Sequence, residues 1–372
     1  AVSMNSATSC LYAAIAAIGI EPGDEVIVTP TTMTATITGI VLYQAIPVFA
    51  DICPDTLCIS PTEIEKKITK KTKAIIGVNI YGHNAEWSLI NEIAQKSGIK
   101  VIEDASQSIG GFYKGKRSGT HADIGVFSLN RHKHIHCGEG GVCVTNNEEL
   151  ATRLRLIRNH GEAVVDDMGT SDISGILGFN FRMTEIEASI ADQQLKKLDS
   201  LIKKRRDMCH EIINIFTKFD GISIPKGHQY DLLKKDNELN KTNNIYYYLC
   251  FLFDARKIGL TRESFVEALN KEGIPCGIGG YMPIYLQAMF QKKIAFGKKG
   301  NPFTSSEYKK EINYSRGLCP VAERMWFDDL IYVKVQNFIF SKRQIKKMEF
   351  AINKIINSKI QINNFHEKRS IK

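Results

Sequence analysis

The chain has 372 residues, 43% of them hydrophobic and 24% charged, with a formal net charge of +9, long enough for one large domain and a smaller one. Its best candidate for an apolar run, Ala13 to Ile20, is far short of the roughly 20 residues that cross a bilayer. With no nucleic-acid motif and no stripe of interleaved aromatic and basic residues, neither a membrane nor a nucleic acid is expected as a partner.

The nine cysteines are odd in number, scattered and never spaced C-x-x-C. This argues against a disulfide framework or zinc ribbon and for reduced thiols, so a cytoplasmic location is expected. The chain opens Ala-Val-Ser-Met-Asn, without a signal-peptide pattern. Basic clusters such as Lys203 to Arg206, Lys292-Lys293 and Lys298-Lys299 read first as solvated surface. Their sign also suits an anionic, phosphate-bearing ligand.

In chain order, Ala1–Asn5 reads as a strand leading into a helix over Thr8–Ile18. A chain that begins inside a strand is expected to lack some N-terminal material. Short runs rich in Val and Ile then predict strands at Glu25–Thr29, Ile46–Asp51, Lys73–Asn79, Lys100–Asp104, Ile124–Leu129 and Gly141–Thr145. Between them, Thr32–Tyr43, Pro61–Ile68 and Glu86–Lys96 show helical spacing, with Pro61-Thr62 as a start and Ser97-Gly98 as a stop. Such alternation implies an α/β fold with a mixed, mostly parallel sheet covered by helices, and a ligand at the carboxyl ends of its strands.

From Met183 to Phe216 the pattern is long and helical. Residues 221–285 read as a smaller α+β unit, with a strand at Tyr246–Phe253 and a helix at Thr261–Gly273. The Lys- and Gly-rich stretch Gln291–Ser306 predicts a mobile loop. A last helix, Ser341–Asn357, precedes a polar tail expected to be disordered. The expected division is a large domain over 1–195, a long helix with a small C-terminal domain over 196–357, and the tail over 358–372.

Three segments carry chemistry. In Phe127-Ser128-Leu129-Asn130-Arg131-His132-Lys133, a lone lysine follows a strand end, and Gly138-Glu139-Gly140-Gly141 then lets backbone pass close to a ligand. A lysine there, beside other cations and out of water, is an imine-forming amine; taken alone, an ordinary surface lysine is the commoner reading. In Val101-Ile102-Glu103-Asp104-Ala105-Ser106-Gln107, an acidic pair closes an apolar strand and sets a carboxylate at the sheet edge. A helix cap or metal ligand reads about equally well from that segment alone. Asn5-Ser6-Ala7-Thr8-Ser9 opens an apolar helix with hydroxyls and free N–H groups, which favour a phosphate. His132, His134 and His136 alternate as metal ligands on a strand would, but no carboxylate or thiolate has matching spacing, and no metal is expected. Arg158, His160 and Gly161 could meet an anionic substrate, and equally could close a helix.

Together these segments resemble the DegT/DnrJ/EryC1/StrS family of pyridoxal-phosphate-dependent sugar aminotransferases, from Asn5 to about Ile356. Further matches are Gly23 to Val28, Gly178-Phe179-Asn180-Phe181-Arg182-Met183-Thr184-Glu185 and Cys319 to Arg324. The resemblance implies the fold-type-I transferase architecture, with pyridoxal 5′-phosphate carried by Lys133. It implies that Asp104 pairs with the pyridine nitrogen, that Gln107 lies near the phenolic oxygen, and that Ser128, Ala7 and Thr8 bind the phosphate. Asn180 would reach the phosphate of a neighbouring subunit, which implies a homodimer. The implied reaction moves an amino group from an amino acid, with glutamate the expected donor, to a keto group of a nucleotide-linked sugar.

The match has departures. Met33 stands where much of the family stacks an aromatic residue on the ring, and the family's N-terminal segment before Ser-Ala-Thr is not in the sequence. Three alternatives stand beside transamination of a sugar: an aminocyclitol acceptor, a ketosugar dehydratase and a non-catalytic relative. Dehydratases of the family carry His at the lysine position, and the intact Lys133, Asp104 and Ser128 set speaks against a non-catalytic protein.

Overall fold

The computed structural model describes residues 1–162, 175–229, 242–336 and 338–370. A seven-stranded sheet runs in the order β1-β9-β8-β5-β4-β2-β3. Its strands are β1 (Val2–Met4), β2 (Glu25–Val28), β3 (Ile46–Phe49), β4 (Thr72–Val78), β5 (Lys100–Asp104), β8 (Ile124–Ser128) and β9 (Gly141–Val144). β2, β3, β4, β5 and β8 pair in parallel, while β9 runs antiparallel between β8 and β1. A hairpin of β6 (Phe112–Tyr113) and β7 (Lys116–Arg117) interrupts the path from β5 to β8. Every residue of β2 is buried, as are all but the first of β5, as expected of strands covered on both faces.

The covering helices are α1 (Ala7–Ala17), α2 (Ala35–Leu42), α3 (Pro61–Lys67), α4 (Trp87–Ser97) and α5 (Glu148–Arg158). Ser6 caps α1 by accepting from the Ser9 N–H, Ser60 caps α3, and Gly98 ends α4 in the left-handed conformation that glycine adopts without strain. The mixed, mostly parallel sheet flanked by helices agrees with the expectation from sequence.

The long helical stretch divides into α6 (Glu185–Leu195) and α7 (Leu198–Phe216) at Lys196-Lys197. A second, antiparallel sheet follows, in the order β10 (Ile222–Ser223), β11 (Leu249–Phe253), β13 (Leu330–Val333), β12 (Cys276–Ile278). It shares a core with α7, α8 (Arg262–Lys271) and α9 (Lys342–Asn357). Three expectations need correction. The strand expected from Tyr246 begins only at Leu249, because Asn244 Oδ1 accepts from the Tyr246 N–H and turns Tyr246 to φ 53°. The stretch expected to be a loose loop at 291–306 is pinned by Phe303, buried against Phe290 and Tyr314 on the core of the large sheet. The polar tail forms α10 (Lys359–Ser370), where Ile362 packs on the small core and Asn363 Nδ2 donates to Gly259 O.

Glu25 ties this returning segment to the large sheet. Its carboxylate accepts from Thr69, Thr72, Tyr308 and Lys310. Burial pushes the Glu25 carboxyl up, but the hydrogen bonds from Thr69, Lys310 and Tyr308 outweigh it and hold the group below its ordinary range. Its contribution is therefore present above the ordinary glutamate pKa and lost as pH falls through the folded value. Glu25→Ala is expected to cost roughly 2–4 kcal/mol, since it strands the buried Tyr308 and Thr72 hydroxyls. Urea unfolding at neutral pH measures the loss, and the gap from wild type should narrow in acid.

Candidate active site

β4, β5 and β8 end on one side of the large sheet, and the chain leaves β8 into a tight loop. The Arg131 N–H donates to Gly138 O and the Cys137 N–H to Leu129 O, so the loop folds back on itself and is not a strand. The Lys133 N–H donates to Asn130 O, and Asn130 Nδ2 donates to Glu139 Oε1, fixing the lysine on the inner side. Gly141 opens β9 directly behind α1, where a Cβ would lie 2.5 Å from the Ala7 nitrogen. That close approach brings the start of α1 beside the lysine loop.

The result is a cavity of about 440 Å³. Ala7, Thr8, Met33, Asp104, Gln107, Ser128 and Lys133, all singled out from the sequence, line it together. Asn180 does not: it is exposed, in a segment bridged to Asn159. Its neighbours Phe179 and Phe181 stack on each other and pack inward, which turns Asn180 outward.

The Lys133 ammonium lies 4.6 Å from the centre of the Tyr247 ring. Burial lowers its pKa to about 8, against the opposing pull of the Asp104 charge. Asp104 is buried at the end of β5, where its carboxylate accepts from Thr36 Oγ1 at 2.9 Å and from the Ser106 N–H at 3.1 Å. Its neighbour Glu103 points to the other side of the strand, as alternation requires. There it accepts from the Gly119 and His121 N–H groups and from Asn79 Nδ2, and burial raises its pKa to about 7. Only one member of the acidic pair faces the cavity. Glu103 holds the loop beyond β7.

Gln107 is held at both ends: Oε1 accepts from the Tyr81 N–H and Nε2 donates to the Tyr281 hydroxyl. At the far end of the cavity, the N–H groups of Ala7 and Thr8 have no acceptor within their own helix. The three alternating histidines go separate ways. His132 lines the cavity, His134 is buried with Nε2 on Ile245 O, and His136 is exposed.

Tyr247, Tyr248, Tyr281, Thr32, Thr36, Ser106 and Gln336 also line the cavity and went unmarked in the sequence. The run Tyr246-Tyr247-Tyr248 was the available signal, hidden by the reading of that stretch as strand. Tyr81 anchors these rings: it stacks on Tyr281 at 5.8 Å, and its left-handed turn accepts from the Tyr247 N–H. A partly neutral amine, a buried carboxylate and a cluster of hydroxyls and free N–H groups fit an aldehyde, a ring nitrogen and a phosphate. Pyridoxal phosphate offers all three.

The comparisons agree with this chemistry. The family model for the DegT/DnrJ/EryC1/StrS aminotransferase family matches residues 1–319. The chain is 34% identical over 342 residues to the uncharacterized protein MJ1066 of Methanocaldococcus jannaschii, covering 90% of this chain and 83% of that one. It is 30% identical over 319 residues to the spore coat polysaccharide biosynthesis protein SpsC of Bacillus subtilis, covering 84% and 79%. An aminotransferase structure from Psychrobacter cryohalolentis superposes with a TM-score of 0.79 at 27% identity, covering 96% of this chain and 87% of that one. The chain belongs to the DegT/DnrJ/EryC1/StrS family of pyridoxal-phosphate-dependent aminotransferases.

Proposed function

We propose that the protein transfers the amino group of glutamate to a keto group of a nucleotide-linked sugar, with the cofactor seated between Lys133 and Asp104. The supporting observation is that a lysine of lowered pKa and a buried carboxylate face one cavity that ends at a helix N-terminus. Bound there, pyridoxal phosphate supplies the electron sink and the carrier for the amino group.

The remaining work falls to the chain. At pH 7 an amine of pKa about 8 is about one-tenth neutral, against less than about a thousandth for an ordinary lysine. Lys133 is therefore ready to condense with an aldehyde, and to take and return a proton at the substrate carbon. Asp104 holds the proton of the ring nitrogen, with Thr36 and the Ser106 N–H fixing the carboxylate. Gln107 would face the phenolic oxygen, and Ala7, Thr8 and Ser128 would receive the phosphate. Met33, half-exposed at the rim, would cover the ring.

A nucleotide diphosphate suits the net charge of +9, and the polysaccharide role in the name of SpsC favours a sugar acceptor. A homodimer with shared sites is part of the same reading. α6 buries none of its residues, and Leu177, Ile186, Ile190 and Leu195 stand exposed beside Asn180 in sequence. A second copy covering that face would bring Asn180 to its partner's cofactor phosphate.

Mixing the purified protein with pyridoxal phosphate and then with glutamate alone tests the donor half. The expected result is a visible cofactor band that glutamate converts to the amine form, releasing one 2-oxoglutarate per site. A panel of nucleotide-linked ketosugars and inososes then tests the acceptor half. A silent response to glutamate would refute glutamate as the donor, and a silent response to every amino acid would refute transamination. A ketosugar consumed without 2-oxoglutarate would favour the dehydratase, and turnover of inososes alone would move the substrate to the cyclitols.

A further inference from the structure

We propose that the outer face of α9 is a docking surface for an anionic membrane, placing the protein peripherally on a bilayer. The face carries Lys342, Arg343, Lys346 and Lys347, with Phe350 one turn on. All five are exposed, Phe350 at 71%. Phe338 and the strongly exposed Ile339 lie just before the helix.

Two observations separate this face from an ordinary solvated one. None of its four cations has an ion pair among the described residues, whereas lysines around it do: Lys218 pairs with Glu349, Lys354 with Glu272 and Lys203 with Asp207. Glu349, on the same helix and beside the cluster, is thus taken up by Lys218. In addition, Lys342 and Arg343 occupy the first turn, where the helix dipole repels cations, and no acidic residue stands there to offset it. Positive charge is concentrated where the local electrostatics oppose it, which points to an external anion.

The face is also held rigidly. Ser341 and Gln344 form a capping box that fixes the first turn, and Ile345, Met348, Ile352 and Ile355 bury the opposite side in the small core. The helix cannot roll, so the cations and Phe350 point outward together. Cations ringing an exposed phenyl group match the headgroup layer of an acidic bilayer, with the ring entering the acyl boundary. A surface of this kind needs no spanning segment, so the lack of an apolar run long enough to cross a bilayer does not bear on it.

Co-sedimentation of the holoenzyme with phosphatidylcholine vesicles, with and without phosphatidylglycerol, tests the proposal. The wild type is expected to sediment with the acidic vesicles alone, and to be released as salt rises. Each cation removed should weaken binding about fivefold, so the combined variant K342E/R343E/K346E/K347E should lose more than about a hundredfold. That variant places acids in the first turn and favours the helix, so its loss cannot be laid to misfolding. An unchanged cofactor spectrum checks this. Phe350→Ser should weaken binding while leaving it salt-sensitive. The proposal is overturned if the wild type ignores acidic vesicles at low salt, or if the quadruple variant binds as the wild type does. It is also overturned if a single-stranded oligonucleotide binds more tightly than the vesicles and without dependence on Phe350.

Discussion

Lys133→Ala should reduce transamination by roughly four orders of magnitude and remove the covalent attachment of the cofactor. The reason lies in the burial of a single amine. The loop from Leu129 to Gly140 carries Lys133 on its inner side, against the Tyr247 ring, where desolvation lowers its pKa to about 8. His134 is also buried but bonded to Ile245 O, and burial keeps its pKa low, so it is no substitute. Rate measurements with glutamate and borohydride reduction of the loaded protein check the two halves of the expectation.

The same burial carries a stability cost. Because the folded pKa of Lys133 lies below the unfolded one, the unfolded chain binds more protons between about pH 8 and 10.5. Stability of the cofactor-free protein should rise with pH across that window. Lys133→Met, which removes the buried charge while keeping the bulk, should raise the melting temperature at pH 7 as it abolishes activity. A thermal melt of the two proteins without cofactor decides it.

Asp104→Asn is expected to slow the glutamate half-reaction by a factor of about 10²–10³, the usual scale for losing one preorganised charge in a site. The amide keeps the shape: its Oδ1 can still accept from the Ser106 N–H, and its Nδ2 can donate to Thr36 Oγ1 where the carboxylate accepted, so the loss reports the charge. A second readout is independent of turnover. The Asp104 carboxylate raises the pKa of Lys133 against the stronger effect of burial. Without it, the amine of the cofactor-free protein should titrate below about 8, measured by its pH-dependent labelling with an amine-reactive reagent. An unchanged midpoint would mean that the two groups do not sense each other.

Much of the large sheet was legible because its strands are short Val/Ile runs between capped helices. All seven strands expected for it agree with observed ones to within a residue or two at their ends. The cavity-lining residues were legible for a different reason: they lie at strand ends and at a helix start, where backbone geometry alone decides what converges. Lys133, Asp104 and Ala7 therefore come together from distant parts of the sequence. What escaped was set by tertiary contacts. The tyrosines at 246–248 satisfy every local preference of a strand, yet Asn244 and the Tyr81 turn bring Tyr247 and Tyr248 into the cavity wall and leave Tyr246 in the small core. Glu103 and Asp104 read alike in sequence, and only the strand's alternation and the partners on each face separate their roles. α10 escaped because its helix depends on a few contacts, such as that of Ile362, and little amphipathic pattern advertises it.

The turn at Tyr81 and Gly82 accepts hydrogen bonds from the Tyr247 and Ile245 N–H groups, stitching the approach to β11 onto the end of β4. The aromatic wall facing Lys133 is thereby indexed to the large sheet, although its residues come from the chain of the small one. Displacements of the small sheet during substrate entry should leave the Lys133–Tyr247 spacing unchanged, so that the acceptor side of the pocket can adapt while the lysine's own seat stays in register.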